Sequence, residues 1–138
     1  MKQSDPIHEI LSKTKTIAVV GLSDSPMRPS YGVSSYMQSQ GYKIIPVNPQ
    51  ISEALGEKSY PSLVDIPAEV AGKIDMVDVF RRSEYVGEIV DQTIKLKIPA
   101  LWLQEDVINE GAAEKARKAG IFVVMDLCIL KEHRMRFR

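Results

Sequence analysis

The chain has 138 residues, 18 Lys and Arg against 18 Asp and Glu, and a single cysteine. That length suits one domain, which we expect to span residues 1–138 around one hydrophobic core. A formal net charge of zero provides no bulk field to attract nucleic acid or a membrane, and one cysteine excludes an intramolecular disulfide and disfavours a cysteine-based metal site.

The N-terminal stretch "MKQSDPIHEI" has no apolar segment of the kind found in secretion signals. Nowhere does the sequence approach the roughly 18 consecutive apolar residues of a membrane-spanning helix. We therefore expect a cytoplasmic protein with neither a membrane nor a nucleic acid as partner. Within this stretch, Asp5 and Pro6 predict a helix start, because Asp caps helices and proline loses no hydrogen bond at the first helical position.

Five runs rich in β-branched and apolar residues predict buried strands, at 16–20, 42–47, 75–80, 99–104 and 121–126. Helical patterns that start at Ser30, Ser83 and Asn109 separate most of them, whereas the interval from 50 to 75 is broken by Pro and Gly. There we expect only a short strand near Tyr60 and a short helix near 62–66.

Strands that alternate with helices predict parallel βαβ units joined by right-handed crossovers. The expected fold class is α/β: a single doubly wound, Rossmann-like domain with a mostly parallel five-stranded sheet in the order 3-2-1-4-5. Its core would cover about residues 7–128, and residues 129–138, "ILKEHRMRFR" from Ile129 onward, would form an exposed basic tail.

Polar side chains follow the first predicted strand, where a doubly wound sheet binds its ligand. Gly21 permits a tight turn, Ser23 and Ser30 supply hydroxyls, and Arg28 supplies a guanidinium just before a helix N-terminus. Hydroxyls, a bidentate guanidinium and a helix dipole all favour a phosphate group. The alternative is that Ser30 only caps the helix and that Arg28 is a solvated loop residue.

The third strand ends in "FRRS", which places Phe80 and two arginines, beginning with Arg81, at the same edge of the sheet. The arginines could neutralise a second phosphate, while Phe80 could pack on a base or a pantetheine arm. In the alternative interpretation, one arginine pairs with Asp78 or Glu84 and the other is solvated.

Two common nucleotide-binding classes fit the sequence poorly. The first loop lacks the G-x-G-x-x-G pattern, and the second strand ends in Asn48 and Pro49 instead of the acidic residue that binds a ribose hydroxyl. The chain also has no P-loop motif. NAD or ATP binding is a minor alternative. On the fourth strand Trp102 is expected in the core, and Gln104 shares its face and could reach a ligand.

Several motifs closely resemble the small stand-alone CoA-binding proteins of bacteria and archaea. They are "VVGLSDSPMRPSYGV", "IIPVNP", "YPSLVDIP", "VDVFRRSE" and "VVMDLC", and the similarity runs over about residues 7–128. Members of this family have a Rossmann-like CoA-binding domain related to the N-terminal domain of the succinyl-CoA synthetase alpha subunit. We expect no counterpart here of that enzyme's C-terminal ligase domain, so the resemblance does not imply its chemistry.

The resemblance implies a CoA site, with each part of the ligand assigned by position. Gly21, Ser23, Arg28 and Ser30 would lie against the pyrophosphate, and Asn48 and Pro49 near the adenosine. Phe80, Arg81 and Ser83 would line the other side of the groove, and Gln104 would lie toward the pantetheine.

The resulting expectation is a module that binds coenzyme A or an acyl-CoA and has no catalytic or metal-binding residues of its own. Two alternatives involve Cys128. The protein could be an enzyme that acts on CoA thioesters or another nucleotide, or a redox-sensitive regulator in which the CoA thiol forms a mixed disulfide with this cysteine. A lone cysteine is also often an inert apolar residue.

Overall fold

The computed structural model describes residues 5–137. The α-helices are α1 (Pro6–Lys13), α2 (Pro29–Ser39), α3 (Ala68–Ala71), α4 (Val86–Lys95), α5 (Glu110–Lys118) and α6 (Ile129–Arg136). The strands are β1 (Thr16–Val20), β2 (Lys43–Val47), β3 (Glu53–Ala54), β4 (Glu57–Lys58), β5 (Met76–Val79), β6 (Ala100–Leu103) and β7 (Phe122–Val124). Two short 3-10 helices cover Leu63–Asp65 and Ser83–Tyr85. Within this part of the chain, no helix combines the length and apolar character needed to cross a bilayer.

Five strands form one parallel sheet in the order β2-β1-β5-β6-β7, and β3 pairs with β4 in a separate small hairpin. The α/β class and the Rossmann-like, parallel five-stranded architecture are therefore confirmed. The predicted strand order 3-2-1-4-5 is wrong, because the third long strand pairs with the free side of β1, which gives 2-1-3-4-5 in the same numbering.

The connection between β2 and β5 explains this order. Tyr60 forms a parallel bridge with Val47, and its main-chain groups bond to the amide of Asn48 at 2.8 Å and the carbonyl of Pro46 at 3.1 Å. The chain thus covers the outer edge of β2 on its way out, and β5 pairs on the other side of β1. The direction of the crossovers reverses between β1 and β5, which is where open α/β sheets bind their ligands.

Side chains alternate between the two faces of the sheet and feed two separate apolar clusters. On β1, Ile17 and Val19 point into one cluster and Ala18 into the other. The first cluster contains Trp102, fully buried as predicted, whose indole N–H donates to the carbonyl of Leu127 at 2.7 Å. With both faces covered, the ends of the strands are left as the accessible surface of the sheet.

The C-terminal segment is a docked helix, and the prediction of an exposed basic tail is wrong. Ile129 and His133 are buried. The hydroxyl of Tyr36 on α2 lies 2.8 Å from Nδ1 of His133, and the ring of Phe137 stacks between His133 and His8. Burial lowers the pKa of His133. The inward-facing residues of this segment are spaced four apart, at 129, 133 and 137, and five basic and acidic residues surround them in the sequence. The charged residues made the segment look like an exposed tail.

Candidate functional site

Gly21 directly follows β1 and has a backbone conformation that other residues rarely adopt. Its φ is +90°, and a Cβ at this position would clash with the carbonyl oxygen of Phe80, at the end of β5. Its own amide donates to the carbonyl of Val47 at 2.8 Å, which ties β1 to the end of β2. Glycine therefore allows the ends of β1, β2 and β5 to meet at the switch point, the place where the direction of the crossovers reverses.

The serines in the loop after β1 form hydrogen bonds within that loop. The amide of Ser23 donates to Oγ of Ser30 at 3.0 Å, and Oγ of Ser23 accepts the amide of Ser25 at 3.0 Å. The cap position of helix α2 is Arg28, two residues before the predicted cap at Ser30, and the helix begins at Pro29 with no side-chain cap. The prediction that Ser30 caps this helix is therefore wrong, because its hydroxyl bonds back to the loop.

Asn48 holds the second strand end against this loop. Its Nδ2 donates to the carbonyl of Leu22 at 2.9 Å, and its Oδ1 accepts the amide of Gln50 at 2.8 Å. Both ends of the side-chain amide are thus used inside the protein. Pro49 follows as an exposed residue that lines the neighbouring cavity.

Arg81 is oriented by an aromatic ring. The carbon of its guanidinium lies 4.2 Å from the ring centroid of Tyr85, a cation–π arrangement. Within residues 5–137, none of Arg28, Arg81 and Arg82 forms an ion pair. The proposed pairing of an arginine with Asp78 or Glu84 is thus not seen.

Ser83 joins two loops at the carboxyl ends of the strands through hydrogen bonds. Its Oγ accepts the amide of Ile108 at 2.9 Å and donates to the carbonyl of Asp106 at 3.4 Å. Its carbonyl accepts Nδ2 of Asn109 at 3.1 Å. These bonds fix the loop after β6 against the loop after β5, and Ser83 itself lines neither of the cavities described below.

Gln104 is buried beneath the site, where its amide bridges two elements. Nε2 donates to Oδ1 of Asp78 on β5, and Oε1 accepts the amide of Ile129, at the start of α6, at 3.3 Å. Burial raises the pKa of Asp78 to about 7, partly offset by the hydrogen bond from Gln104. The structure therefore places Gln104 in the core and brings it into neither cavity.

Two adjoining cavities lie at the carboxyl ends of the strands, and they share Gly21, Asn48 and Arg81. The first, here the apolar cavity, has a volume of about 150 Å³. Most of its wall is apolar and comes from the ends of β1 and β2, the segment after Tyr60, and α4. Those residues are Val20, Val47, Pro49, Pro61, Leu63 and Ile89. The polar and charged side chains that also line it are Asn48, Ser62, Arg81, Tyr85, Glu88 and Gln92.

The second cavity, here the arginine cavity, has a volume of about 560 Å³ and lies toward β6. One side carries the first loop and the end of β5, with the residues Ser23, Arg28, Ser30, Phe80, Arg81 and Arg82. The opposite side is the loop Glu105, Asp106 and Val107. Polar and charged groups thus surround the wider cavity, while the narrower one is mainly hydrophobic.

The structure brings together eight of the ten predicted site residues around these cavities and leaves out Ser83 and Gln104. Two parts of the site were not predicted from the sequence: Tyr85, which orients Arg81, and the wall of the apolar cavity from Pro61 to Leu63. The motif "YPSLVDIP" was the available signal for that wall. Neither Cys128 nor His133 lines either cavity, and residues 5–137 hold no cluster of His, Cys, Asp and Glu suited to a metal ion.

Known proteins share both the sequence and the fold. The chain is 48% identical over 127 residues to the uncharacterized protein YneT of Bacillus subtilis, covering 92% of this chain and 91% of that protein. A hypothetical protein from Pyrococcus horikoshii has the same fold, with a TM-score of 0.90, 36% identity and full coverage of both chains.

A larger enzyme contains a similar region. Acetate–CoA ligase [ADP-forming] II of Archaeoglobus fulgidus is 30% identical over 124 residues, which cover 88% of this chain and only 17% of the ligase. The sequence model of the CoA binding domain family matches residues 15–134 of this chain. That match spans every strand of the sheet and the loops around both cavities, and the chain therefore belongs to the CoA-binding domain family.

Proposed function

We propose that the protein binds coenzyme A or an acyl-CoA in the two adjoining cavities and performs no chemistry of its own. The observation that carries this proposal is the group of three arginines at the arginine cavity. Arg28, Arg81 and Arg82 have no carboxylate partner within residues 5–137. Guanidiniums without internal partners suit phosphate oxygens, which they bind bidentately.

The shape of the site fits the chemistry of CoA. A nucleobase suits the apolar cavity, where Ser62, Gln92 and Asn48 lie among apolar walls. The pyrophosphate would pass Gly21, which is common to both cavities, and the remaining phosphate and the pantetheine would occupy the arginine cavity. Asn48 would then act by holding the loop, since both ends of its amide are already bonded.

The absence of catalysis is proposed because the lining residues include no Cys or His. Cys128 is half-buried at the start of α6 and belongs to neither cavity wall. This location supports a binding module over an enzyme or a redox regulator that uses the cysteine. The balanced net charge supports a small molecule as the partner, with no role for nucleic acid or membrane.

A thermal melt with a set of nucleotides tests the proposal. CoA at a hundred times its dissociation constant adds about 2.7 kcal/mol of stability, and a chain of this size should then melt roughly 10 °C higher. We expect a smaller rise with 3′-dephospho-CoA and none with NAD or ATP. No shift with CoA, or a larger one with NAD or ATP, would overturn the proposed ligand. Turnover of an acyl-CoA by the purified protein would overturn the proposed lack of catalysis.

A further inference from the structure

We infer that the site selects against CoA thioesters whose acyl group carries a carboxylate, and that the acidic loop Glu105–Asp106 is the cause. This inference rests on the proposed function and specifies the class of ligand that the same site accepts. Free CoA and uncharged acyl-CoAs would bind, whereas a dicarboxylic acyl group would be disfavoured.

The direction of the ligand follows from the arrangement of the cavities. The apolar cavity lies by the ends of β1 and β2, and the arginine cavity extends past β5 to the loop after β6. A ligand with its base in the apolar cavity and its phosphates at Gly21 and Arg81 therefore extends toward Glu105, Asp106 and Val107. Those three residues form the far wall that the pantetheine end and any acyl group would meet.

That far wall carries excess negative charge. Both Glu105 and Asp106 are exposed, and Asp126 stands behind them, with its Oδ1 accepting the amide of Asp106 at 2.7 Å. Lys131 is the one basic group paired with this wall in the described residues, through a 3.1 Å contact with Glu105. Three carboxylates thus face one ammonium, and the wall repels a further anion.

The arginines of the opposite wall cannot compensate. CoA carries about four negative charges on its pyrophosphate and 3′-phosphate near neutral pH, while the cavity offers three guanidiniums, from Arg28, Arg81 and Arg82. Once the phosphates are bound, no guanidinium is left over for an acyl carboxylate. Repulsion by the two exposed carboxylates of Glu105 and Asp106 should therefore weaken binding of such a thioester roughly tenfold.

Succinyl-CoA and butyryl-CoA test the inference, because both acyl chains have four carbons and only one ends in a carboxylate. Their dissociation constants would be measured by calorimetry for the wild type and for the Glu105→Gln/Asp106→Asn variant. Asn is chosen at 106 because the residue has a φ of +69°, which Asn tolerates as well as Asp does. The matched control, Asp91→Asn/Glu114→Gln, removes two exposed carboxylates that also pair with lysines but line neither cavity.

We expect the wild type and the control to bind succinyl-CoA roughly tenfold more weakly than butyryl-CoA, and the Glu105→Gln/Asp106→Asn variant to lose this difference. High salt should also reduce the difference in the wild type, which tests the inference without any variant. Equal binding of the two thioesters by the wild type would overturn the inference and leave the proposed function standing. A difference that persists in the Glu105→Gln/Asp106→Asn variant would overturn the role of the acidic loop. Failure to bind either thioester or free CoA would overturn the proposed function itself.

Discussion

The Cβ atom that Gly21 lacks would collide with the main-chain carbonyl oxygen of Phe80. Because that oxygen belongs to the end of β5, the contact sets how closely β1 and β5 approach at the switch point. Gly21 also has a φ of +90°, which is strained for any residue with a side chain.

We expect the Gly21→Ala substitution to lower the free energy of unfolding by roughly 1–3 kcal/mol or more, because both the backbone conformation and the clash oppose it. Urea denaturation measures this loss. Gly32→Ala is the matched control: Gly32 lies inside α2 with open space around its Cβ position, and alanine there should add about 0.5–1 kcal/mol. A Gly21→Ala protein as stable as the wild type would contradict the described packing of the two strand ends.

Asp78 should make stability depend on pH. Burial raises its pKa from 3.8 to about 7 in the folded protein, so the folded state holds a proton that the unfolded state has already released. The free energy of unfolding therefore falls as pH rises from about 4 to about 7 and is level above that.

The Asp78→Asn variant should lose this trend, because asparagine cannot ionise and can still accept from Gln104. Between pH 5 and pH 8, the wild type should lose about 3 kcal/mol more than the variant. His133 also makes stability depend on pH, because burial lowers its pKa and the free energy of unfolding therefore decreases as pH falls below the ordinary pKa of histidine. This contribution is the same in the wild type and the variant, so it cancels in the comparison. Denaturant titrations at the two pH values measure the difference, and identical pH dependence in the two proteins would refute the role of Asp78.

Because α6 packs against the core, truncating a buried residue should reduce stability strongly, whereas truncating an exposed residue of the same helix should have little effect. Ile129 is fully buried, so Ile129→Ala should cost about 2–5 kcal/mol by leaving a cavity. Met135 lies on the same helix but is 57% exposed, so Met135→Ala should change stability by less than about 0.5 kcal/mol. Thermal or urea denaturation of both variants checks this, and equal stabilities would mean that α6 does not form part of the core.

Local patterns in the sequence predicted the strands well. The β-branched run at 16–20 and its successors were confirmed as strands, because a continuous apolar run is what a strand buried on both faces requires. The helix starts at Asp5 and Asn109 were also confirmed, with both side chains accepting backbone N–H groups. Each of these features depends on residues that are close in sequence.

Features that depend on distant contacts were not predictable in this way. The strand order was fixed by the bridge between Tyr60 and Val47, and Ser30 bonds to the loop at Ser23 and so does not cap its helix. Gln104 shares a face with Trp102, as the sequence indicates, but Asp78 on the next strand draws its amide into the core. The sequence identified which residues gather at the strand ends, but only the tertiary structure separates those that line the cleft from those that support it.

The most direct test of CoA binding by the arginine cavity is the dissociation constant of CoA for three proteins: the wild type, Arg28→Ala/Arg81→Ala, and the Arg117→Ala control. Arg117 is exposed on α5 and lines neither cavity. We expect the double variant to bind CoA roughly a hundredfold more weakly, because it loses charge-assisted hydrogen bonds to phosphate, and the control to match the wild type. Unchanged affinity in a correctly folded double variant would contradict the assignment of these arginines to the phosphates of CoA.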